Sequence, residues 1–157
     1  MAAPRLVSVI VATRDRPQLL SEALASIRAV EGPDLKFEIL VGDNGGLPES
    51  REVAERFGAI YQYTPKNGCP APRNLAMSRA TGEFIAFLDD DDVWLPAHIR
   101  THIEVLDANP EFAGAFGQII STDPDLTPLN DPWPHITPDD GDFFMMLMNG
   151  YFPQVGG

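Results

Sequence analysis

The sequence predicts an α/β fold in which a mostly parallel sheet is flanked by helices. Apolar runs of strand length alternate with helical patterns along most of the chain. The strand-like runs are almost continuously apolar, which is typical of strands covered on both faces. Strands that alternate with helices form a parallel sheet through right-handed crossovers. The 157 residues are enough for one domain that builds its own core.

The first strand and helix follow directly from the pattern. The segment "RLVSVIVAT", residues 5–13, is rich in β-branched residues and predicts the first strand. The helix after it has Asp15 as its expected cap and Pro17 in its first turn. Apolar residues then recur at helical spacing along "LLSEALASI".

The next elements repeat this order. "KFEILVGD" predicts a second strand that ends at Asp43, where "NGG" supplies a turn. "LPESREVAERFG" predicts a helix closed by Gly58, and "AIYQY" predicts a short third strand. A loop marked by Pro and Gly leads to a helix from about Pro72 to Ala80, and "EFIAFL" predicts the fourth strand.

Two further elements complete the predicted core, which we assign to residues 1–121. They are a helix from Pro96 to about Asn109 and a strand in "FAGAFGQIIST", residues 112–122. The composition then changes. Residues 122–157 are rich in Pro and Asp and predict an irregular segment followed by a short helix in "FFMMLMNGYF".

Charge and cysteine content exclude several classes of function. The chain has 11 Lys+Arg against 23 Asp+Glu, and a net charge of -12 repels nucleic acid, so we expect no nucleic-acid partner. Cys69 is the only cysteine, which rules out an intrachain disulfide and fits a reducing compartment. The apolar run Leu6–Ala12 is too short to span a membrane. We expect a cytoplasmic protein without a transmembrane segment, and the oligomeric state is left open.

Polar clusters follow three of the predicted strands. They are Ala12 to Asp15, Gly42 to Gly46, and Asp89 to Asp92. The carboxyl ends of parallel strands meet at one edge of a sheet, and ligands of open α/β sheets bind outside that edge. We therefore expect the three clusters to converge on one site.

The run Asp89 to Asp92 poses an electrostatic problem, since two like charges about 4 Å apart repel by about 1 kcal/mol even in water. In an extended segment Asp89 and Asp91 would share one side, where a hard cation such as Mg²⁺ or Mn²⁺ would offset their charge. Such an ion would also let a diphosphate bind beside carboxylates. The alternative is a solvated acidic turn in which Asp92 caps the next helix.

The sequence has no GxxxxGK[ST] or GxGxxG motif, which argues against a P-loop or dinucleotide site.

An ordered set of segments closely resembles a known family. "VSVIVATRDRPQLLSEALASI", "FEILVGDNGG" and "NGCPAPRNLAMSRATGEFIAFLDDDDVWLP" resemble the nucleotide-sugar-binding half of family 2 glycosyltransferases, which have the Rossmann-like GT-A fold. The match covers about residues 5–121. It implies transfer of a sugar, with inversion, from a nucleoside diphosphate sugar to an acceptor hydroxyl, with Mn²⁺ or Mg²⁺ as cofactor. Sugar, base and acceptor are not identified.

The resemblance also implies roles for individual residues. Asp89 and Asp91 of the DxD motif are expected to bind the metal, and Asp90 the ribose or the metal shell. The residues expected to bind the nucleotide sugar are Ala12, Thr13, Arg14, Asp15, Asp43, Asn44, Arg73, Asn74 and Asp90. Asp43 would contact the base, and Arg73 and Asn74 match the family's "RN" near phosphate or sugar. The plainer interpretations are a helix cap for Asp15, a turn residue for Asp43 and an ion-pairing arginine for Arg73.

The chain also departs from the family pattern. Gly42 stands where the family often has the first of two acidic residues, and no residue after Thr122 matches the family's catalytic base. Residues 122–157 are thus interpreted as the start of an incomplete acceptor-binding part, as in a fragment, a truncation or half of a shared site. The alternative function is a catalytically silent nucleotide-sugar-binding module. A phosphoryl-transfer or receiver domain is disfavoured because Lys36 and Lys66 do not follow strands suitably.

Overall fold

The computed structural model describes residues 3–133, and its core is a parallel β-sheet. Within those residues the strands are β1 (Arg5–Thr13), β2 (Leu35–Asp43), β3 (Ile60–Tyr63) and β4 (Phe84–Asp89). Their order across the sheet is β3-β2-β1-β4, and each neighbouring pair is parallel. The predicted α/β class with a mostly parallel sheet is therefore confirmed.

Four helices connect or follow the strands in the described residues. They are α1 (Pro17–Ala29), α2 (Pro48–Arg56), α3 (Pro70–Met77) and α4 (His98–Ala108). Proline stands in the first turn of α1, α2 and α3, where its missing amide hydrogen would have had no partner within the helix. The buried face of α1 includes Leu20, Leu24 and Ile27, as their spacing predicts.

Strand β1 is buried on both faces, as its continuous apolar run predicts. The successive residues Val9, Ile10 and Val11 point to alternate faces, and none is exposed to solvent. Helix α3 packs on β1 and β2, where its Ala76 joins Ile10 and Leu40 in a buried cluster. The central strand is therefore packed from both sides, and Thr13 at its carboxyl end is also buried.

The end of α2 confirms the expected role of Gly58. Gly58 has a φ of 66°, its N–H donates to the Glu55 carbonyl at 3.0 Å, and the Ala59 N–H donates to the Ala54 carbonyl at 2.9 Å. This pair of bonds is a Schellman motif. The residue after the helix then has a left-handed conformation, which glycine and, less often, asparagine adopt. The helix therefore ends where the sequence predicts.

Three predicted elements differ from the structure. Helix α3 spans Pro70–Met77 instead of about 72–80, and α4 begins at His98 instead of near Pro96. The predicted strand in 112–122 is wrong, because its only pairing within the described residues consists of isolated bridges such as Ile119 with Trp133. Phe112 and Phe116 stay 50% and 42% exposed, so this apolar run is not buried in the sheet.

The described chain forms two compact units, one ending at Ile99 and the other beginning at Arg100. The first contains the whole sheet and α1 to α3. Our assignment of 1–121 and 122–157 stays a prediction, and the short helix predicted in 143–152 lies outside the described residues. Of the helices in residues 3–133, none combines the length and apolar character that crossing a membrane requires.

Candidate functional site

A cleft opens where the strand order reverses. From β1 the chain moves outward through β2 and β3, then returns to place β4 on the other side of β1. Ligands of open α/β sheets bind at such a switch point, outside the carboxyl ends of the strands. The cleft there has a volume of about 460 Å³. It is lined by Ala12, Thr13, Arg14, Arg16, Asn44, Gly68, Cys69, Pro72, Asp89, Asp90 and Asp91.

The three polar clusters converge in part, as expected. The strand register sets Thr13 opposite Asp43 and Ala12 opposite Asp89, so all three clusters start at the same edge of the sheet. Asn74 is exposed and does not line the cleft. The expected position of Asn74 beside the nucleotide therefore stays a prediction that the geometry of the cleft does not support.

Asp90 is a buried anchor at the base of the cleft. Its side chain has no solvent exposure. The Thr13 hydroxyl donates to Oδ2 at 2.6 Å, Arg16 Nε donates to Oδ2 at 3.2 Å, and Arg16 Nη2 donates to Oδ1. A guanidinium that grips both oxygens of a carboxylate fixes its orientation as well as its charge. Both carboxylate oxygens of Asp90 therefore accept hydrogen bonds from within the protein.

The electrostatics of this pair follow from its geometry. Burial raises the pKa of Asp90, and the bonds from Thr13 and Arg16 oppose that shift. Burial lowers the pKa of Arg16, but the charges of Asp90 and Asp91 outweigh burial and raise it above its ordinary value. Both pKa values are thus raised, which favours the charged form of Arg16 and disfavours that of Asp90. The bidentate contact itself favours the charged form of both groups.

Asp89 and Asp91 lie on either side of this anchor. Arg73 Nη2 donates to Asp89 Oδ1, and Arg16 Nη1 donates to Asp91 Oδ2 at 2.8 Å. The two side chains are 40% and 49% exposed. In the part of the chain that the structure describes, the second oxygen of each carboxylate accepts no hydrogen bond. Two carboxylate oxygens are thus available to a ligand.

The aspartates form a turn rather than an extended segment. The Asp92 N–H donates to the Asp89 carbonyl at 3.1 Å, so the expected alternation of side chains along the run is wrong. Asp92 is half-buried. Its burial, together with the charges of Asp91, Asp89 and Asp90, raises its pKa to about 6.

These contacts define how a metal ion would fit. A small hard cation such as Mg²⁺ is commonly held by one or two carboxylates, with water and substrate phosphates completing its shell. The available oxygens of Asp89 and Asp91 match that donor set. Within residues 3–133 no three His, Cys, Asp or Glu side chains come together in a way that could hold a metal ion. An ion at this site would therefore take its remaining oxygen ligands from a bound ligand or from water.

Asp43 shapes the site from behind the cleft. It is completely buried and accepts hydrogen bonds from the N–H groups of Gly45 at 2.7 Å and Gly46 at 3.2 Å, and from the Tyr61 hydroxyl at 2.6 Å. Burial and this bond raise the pKa of Tyr61. Because Asp43 does not line the cleft, the geometry supports its interpretation as a turn residue. Base contact by Asp43 stays a prediction.

The loop after β1 also differs from its expected form. The N-cap residue of α1 is Arg16, and no side chain caps this helix, so the prediction that Asp15 is the cap is wrong. Asp15 instead has a φ of 55° and packs on Gly45, where a Cβ would lie 2.1 Å from Asp15 Oδ1. The neighbouring Arg14 is exposed at the rim of the cleft.

Asn44 holds the opposite wall of the cleft. Its Nδ2 donates to the carbonyls of Lys66 at 3.2 Å and Gly68 at 3.3 Å, which draws the loop before α3 towards β2. A Cβ at Gly42 would lie 2.1 Å from the Pro72 carbonyl oxygen. The glycine that departs from the family pattern is therefore what lets α3 approach this close.

Arg16 is the residue that sequence reasoning missed. It makes three of the hydrogen bonds that organise Asp90 and Asp91, yet it was not among the expected site residues. Its position three residues beyond β1, at the same edge as the aspartates, was the available signal. Gly68, Cys69 and Pro72 also line the cleft without having been predicted to do so.

Comparison with known sequences agrees with this geometry. Residues 8–151 match the family described as Glycosyl transferase family 2. A GalNAc(5)-diNAcBac-PP-undecaprenol beta-1,3-glucosyltransferase from Campylobacter jejuni is 33% identical over 124 residues, which are 74% of this chain and 38% of that protein. The succinoglycan biosynthesis protein ExoM from Rhizobium meliloti is 31% identical over 106 residues, 60% of this chain and 34% of that protein. The chain thus spans little more than a third of either relative.

Solved structures show the same sheet. TarS 1-349 from S. aureus superposes with a TM-score of 0.60 at 26% identity, covering 66% of this chain and 33% of that one, and TarS 1-349 is also known in complex with UDP-GlcNAc. The mannosyltransferase PcManGT from Pyrobaculum calidifontis, in complex with GDP-Man and Mn²⁺, superposes with a TM-score of 0.58 at 22% identity, covering 80% of this chain and 37% of that one. The chain therefore belongs to glycosyl transferase family 2, and its sheet has the GT-A fold.

Proposed function

We propose that the chain binds a nucleoside diphosphate sugar together with Mn²⁺ or Mg²⁺ and transfers the sugar, with inversion, to an acceptor hydroxyl. Family membership supports sugar transfer, and the complex of S. aureus TarS with UDP-GlcNAc supports a nucleotide-sugar donor. One observation carries the proposal. In the cleft at the switch point, Asp89 and Asp91 each have one carboxylate oxygen without a hydrogen bond from the described residues.

In this proposal different residues of the cleft bind the ion and the nucleotide. Asp89 and Asp91 would hold the ion, and the buried Asp90 fixes the turn between them. The ion, when bound, would supply Lewis-acid stabilisation of the charge on the departing diphosphate. Thr13, Arg14 and Asn44 line the space in which the nucleotide would lie.

A catalytically silent module is the second candidate, and the residues that line the cleft favour it. The acidic residues that line the cleft are Asp89, Asp90 and Asp91. If the first and last hold the ion while Asp90 stays bonded to Thr13 and Arg16, no carboxylate lining the described cleft is left to deprotonate an acceptor. General-base catalysis contributes about 10²- to 10⁴-fold in rate, so its loss would be large.

Calorimetric titration of UDP and GDP, with and without Mn²⁺, tests the proposed site. We expect one nucleotide to bind only with the metal, because the carboxylates repel a diphosphate that lacks a bridging ion. The variant Asp91→Asn should weaken metal-dependent binding by roughly tenfold or more, the scale typical of disrupted metal sites. The exposed Asp125, outside the unit that contains the sheet, provides the charge-matched control Asp125→Asn. Equal binding without metal, or by Asp91→Asn, would contradict the proposal.

Turnover separates the two candidates. A donor-hydrolysis assay with Mn²⁺ and the sugar donor of the preferred nucleotide should release nucleoside diphosphate if the site can stabilise the departing group. Release that is lost in Asp91→Asn would exclude the silent module. Metal-dependent binding without release would favour it.

Other properties stay predictions. Nucleic acid is not expected as a partner because of the net charge of -12, and the acceptor and the oligomeric state are left open. A cytoplasmic location is likewise a prediction from the sequence.

A further inference from the structure

Arg16 connects the buried and the exposed parts of the aspartate turn. Its Nε and Nη2 bind Asp90, which has no solvent exposure, and its Nη1 binds Asp91, which is half-exposed. Arg16 is also one of the residues that line the cleft. The Nε and Nη2 side of the Arg16 guanidinium is therefore fixed within the protein, whereas Nη1 lies at the surface on which a ligand would bind.

The two contacts differ in strength. The Asp90 contact is bidentate and buried, and breaking such a pair leaves an uncompensated buried charge. The Asp91 contact is a single bond at an exposed position, where ion pairs contribute little to stability. Arg16 can therefore give up Asp91 while Asp90 still holds it in place.

The charge balance makes this exchange relevant to ligand binding. The carboxylates of Asp89, Asp90 and Asp91 face the guanidiniums of Arg16 and Arg73, so three negative charges are offset by two positive ones. The net negative charge that remains, together with the nearby Asp92, repels a diphosphate until a divalent ion binds. A divalent ion that takes Asp91 frees Arg16 Nη1, and a diphosphate oxygen is a suitable acceptor for this charged N–H.

We propose that Arg16 is a positioning residue that couples metal binding to nucleotide binding: its Nη1 binds Asp91 in the free protein and donates to the donor diphosphate when the ion takes Asp91, while Nε and Nη2 stay on Asp90. This proposal rests on the proposed function, because it requires the metal and the diphosphate to meet in this cleft. Arg16 thereby opposes binding of the metal alone and favours binding of the metal together with the nucleotide. Such coupling is reciprocal between the two ligands.

The variant Arg16→Gln tests the proposal through two affinities. Mn²⁺ affinity without nucleotide is measured by electron paramagnetic resonance, and UDP or GDP affinity at saturating Mn²⁺ by calorimetry. Without the competing guanidinium, Mn²⁺ alone should bind roughly tenfold tighter, on the scale of one unit charge about 4 Å away. The nucleotide should bind roughly tenfold more weakly, because it loses a charged hydrogen-bond partner. Changes of opposite sign are the expected result.

Arg5→Gln is the matched control. Arg5 pairs with Glu83 at 2.5 Å near the opposite end of β1, so this variant makes the same change in net charge far from the cleft. In this control both affinities should stay within about twofold of those of the unchanged protein. That change is much smaller than the roughly tenfold changes, about 1.4 kcal/mol each, that we expect for Arg16→Gln.

Arg16→Lys covers the case in which Arg16→Gln fails to fold, as judged by circular dichroism. Lysine keeps the positive charge but cannot reproduce the bidentate fork. We expect Mn²⁺ affinity close to that of the unchanged protein together with weaker nucleotide binding. If both affinities fall together in the folded variants, or neither changes, Arg16 does not couple the ligands. Absence of metal-dependent nucleotide binding in the unchanged protein would instead contradict the proposed function.

Discussion

Arg16 and Arg73 supply the positive charge that the neighbouring aspartates need. Arg16 binds Asp90 and Asp91, and Arg73 binds Asp89. The repulsion between adjacent carboxylates, about 1 kcal/mol per pair in water, is thus offset within the protein. These ion pairs let Asp89, Asp90 and Asp91 lie close together without a metal ion. The ion is proposed because two carboxylate oxygens remain available and because of the family, rather than from the repulsion itself.

Asp43 illustrates what the sequence leaves open at this scale. An aspartate followed by "NGG" at the end of a strand can face a ligand or close its own turn, because its short side chain reaches the amides two and three residues on. The structure shows the second arrangement, with the Tyr61 hydroxyl as a third donor. The sequence does not reveal Tyr61 as a partner, since the contact depends on how β3 lies beside β2.

Asp43→Asn should destabilise the protein by about 2–3 kcal/mol, because an amide group would face hydrogen-bond donors in a buried site. Tyr61→Phe removes only one of the three bonds and should cost about 1 kcal/mol. Urea unfolding followed by circular dichroism measures both. If Asp43→Asn costs no more than Tyr61→Phe, the carboxylate is not the centre of this turn.

At the scale of elements, the sequence predicts well where local signals and packing agree. Helix α1 and strand β1 were predictable because spacing, proline and burial all indicate the same structure. The start of α3 was not, because Pro70 and Pro72 are both acceptable in a first turn. The strand predicted in 112–122 was wrong because an apolar run becomes a strand only when a neighbouring strand accepts its hydrogen bonds.

The contact between α3 and β2 gives a prediction for Gly42. Gly42→Ala places a methyl group 2.1 Å from the Pro72 carbonyl oxygen, which is backbone and must move away. We expect a loss of about 1–3 kcal/mol in the free energy of unfolding, as for overpacked cores. Nucleotide binding should also weaken, since Pro72 and Cys69 form one wall of the cleft.

Gly114→Ala is the control for this substitution. A Cβ at Gly114 would meet no described atom within 4 Å. Its effect should stay within about 0.5 kcal/mol, as for ordinary surface changes. Thermal unfolding and calorimetry on both variants give the comparison. A Gly42→Ala protein as stable as Gly114→Ala would show that α3 is not in close contact with β2.

For the sheet as a whole, topology explains both what was predicted and what was not. Parallel order alone implies that the strand ends carrying Thr13, Asp43 and Asp89 share one edge, and the register confirms it. The sequence does not give the distances between side chains at that edge. Those depend on turns and close approaches, such as Asp15 on Gly45, that involve residues far apart in the chain.

The segment that leads into β4 is held by a polar cluster around Glu38, in which Ser8 is buried, Glu38 is partly exposed and Thr81 is exposed. Ser8 of β1 donates to the Glu38 carboxylate of β2 at 2.5 Å, and both the N–H and the hydroxyl of Thr81 donate to it, at 2.9 and 2.8 Å. The Gly82 N–H completes the cluster by donating to Ser8 Oγ at 2.8 Å. The segment that leads into β4 is therefore tied to the two strands beside it by one carboxylate.

This cluster predicts how stability depends on pH. Burial alone would raise the pKa of Glu38, but hydrogen bonds from Ser8 and Thr81 outweigh burial and lower it below its usual 4.5. The unfolded chain therefore binds the proton more readily, so the stability from Glu38 is present above about pH 4.5 and is lost as pH falls through the lower folded-state pKa. Glu38→Gln should cost about 1 kcal/mol at neutral pH, less than is typical for hydrogen bonds to charged groups because solvent reaches Glu38 and Thr81.

Urea unfolding at a series of pH values measures this difference, with Glu52→Gln on the exposed face of α2 as the charge-matched control. The gap between the unchanged protein and Glu38→Gln should narrow as the pH is lowered through about 4.5, because the unchanged protein then protonates the same group. Glu52→Gln should show no comparable gap at neutral pH, since an exposed carboxylate without buried partners contributes little. A gap for Glu38→Gln that is constant across this range would mean that hydrogen bonding does not favour the charged form of Glu38, and that the link between β4 and its neighbours depends on shape alone.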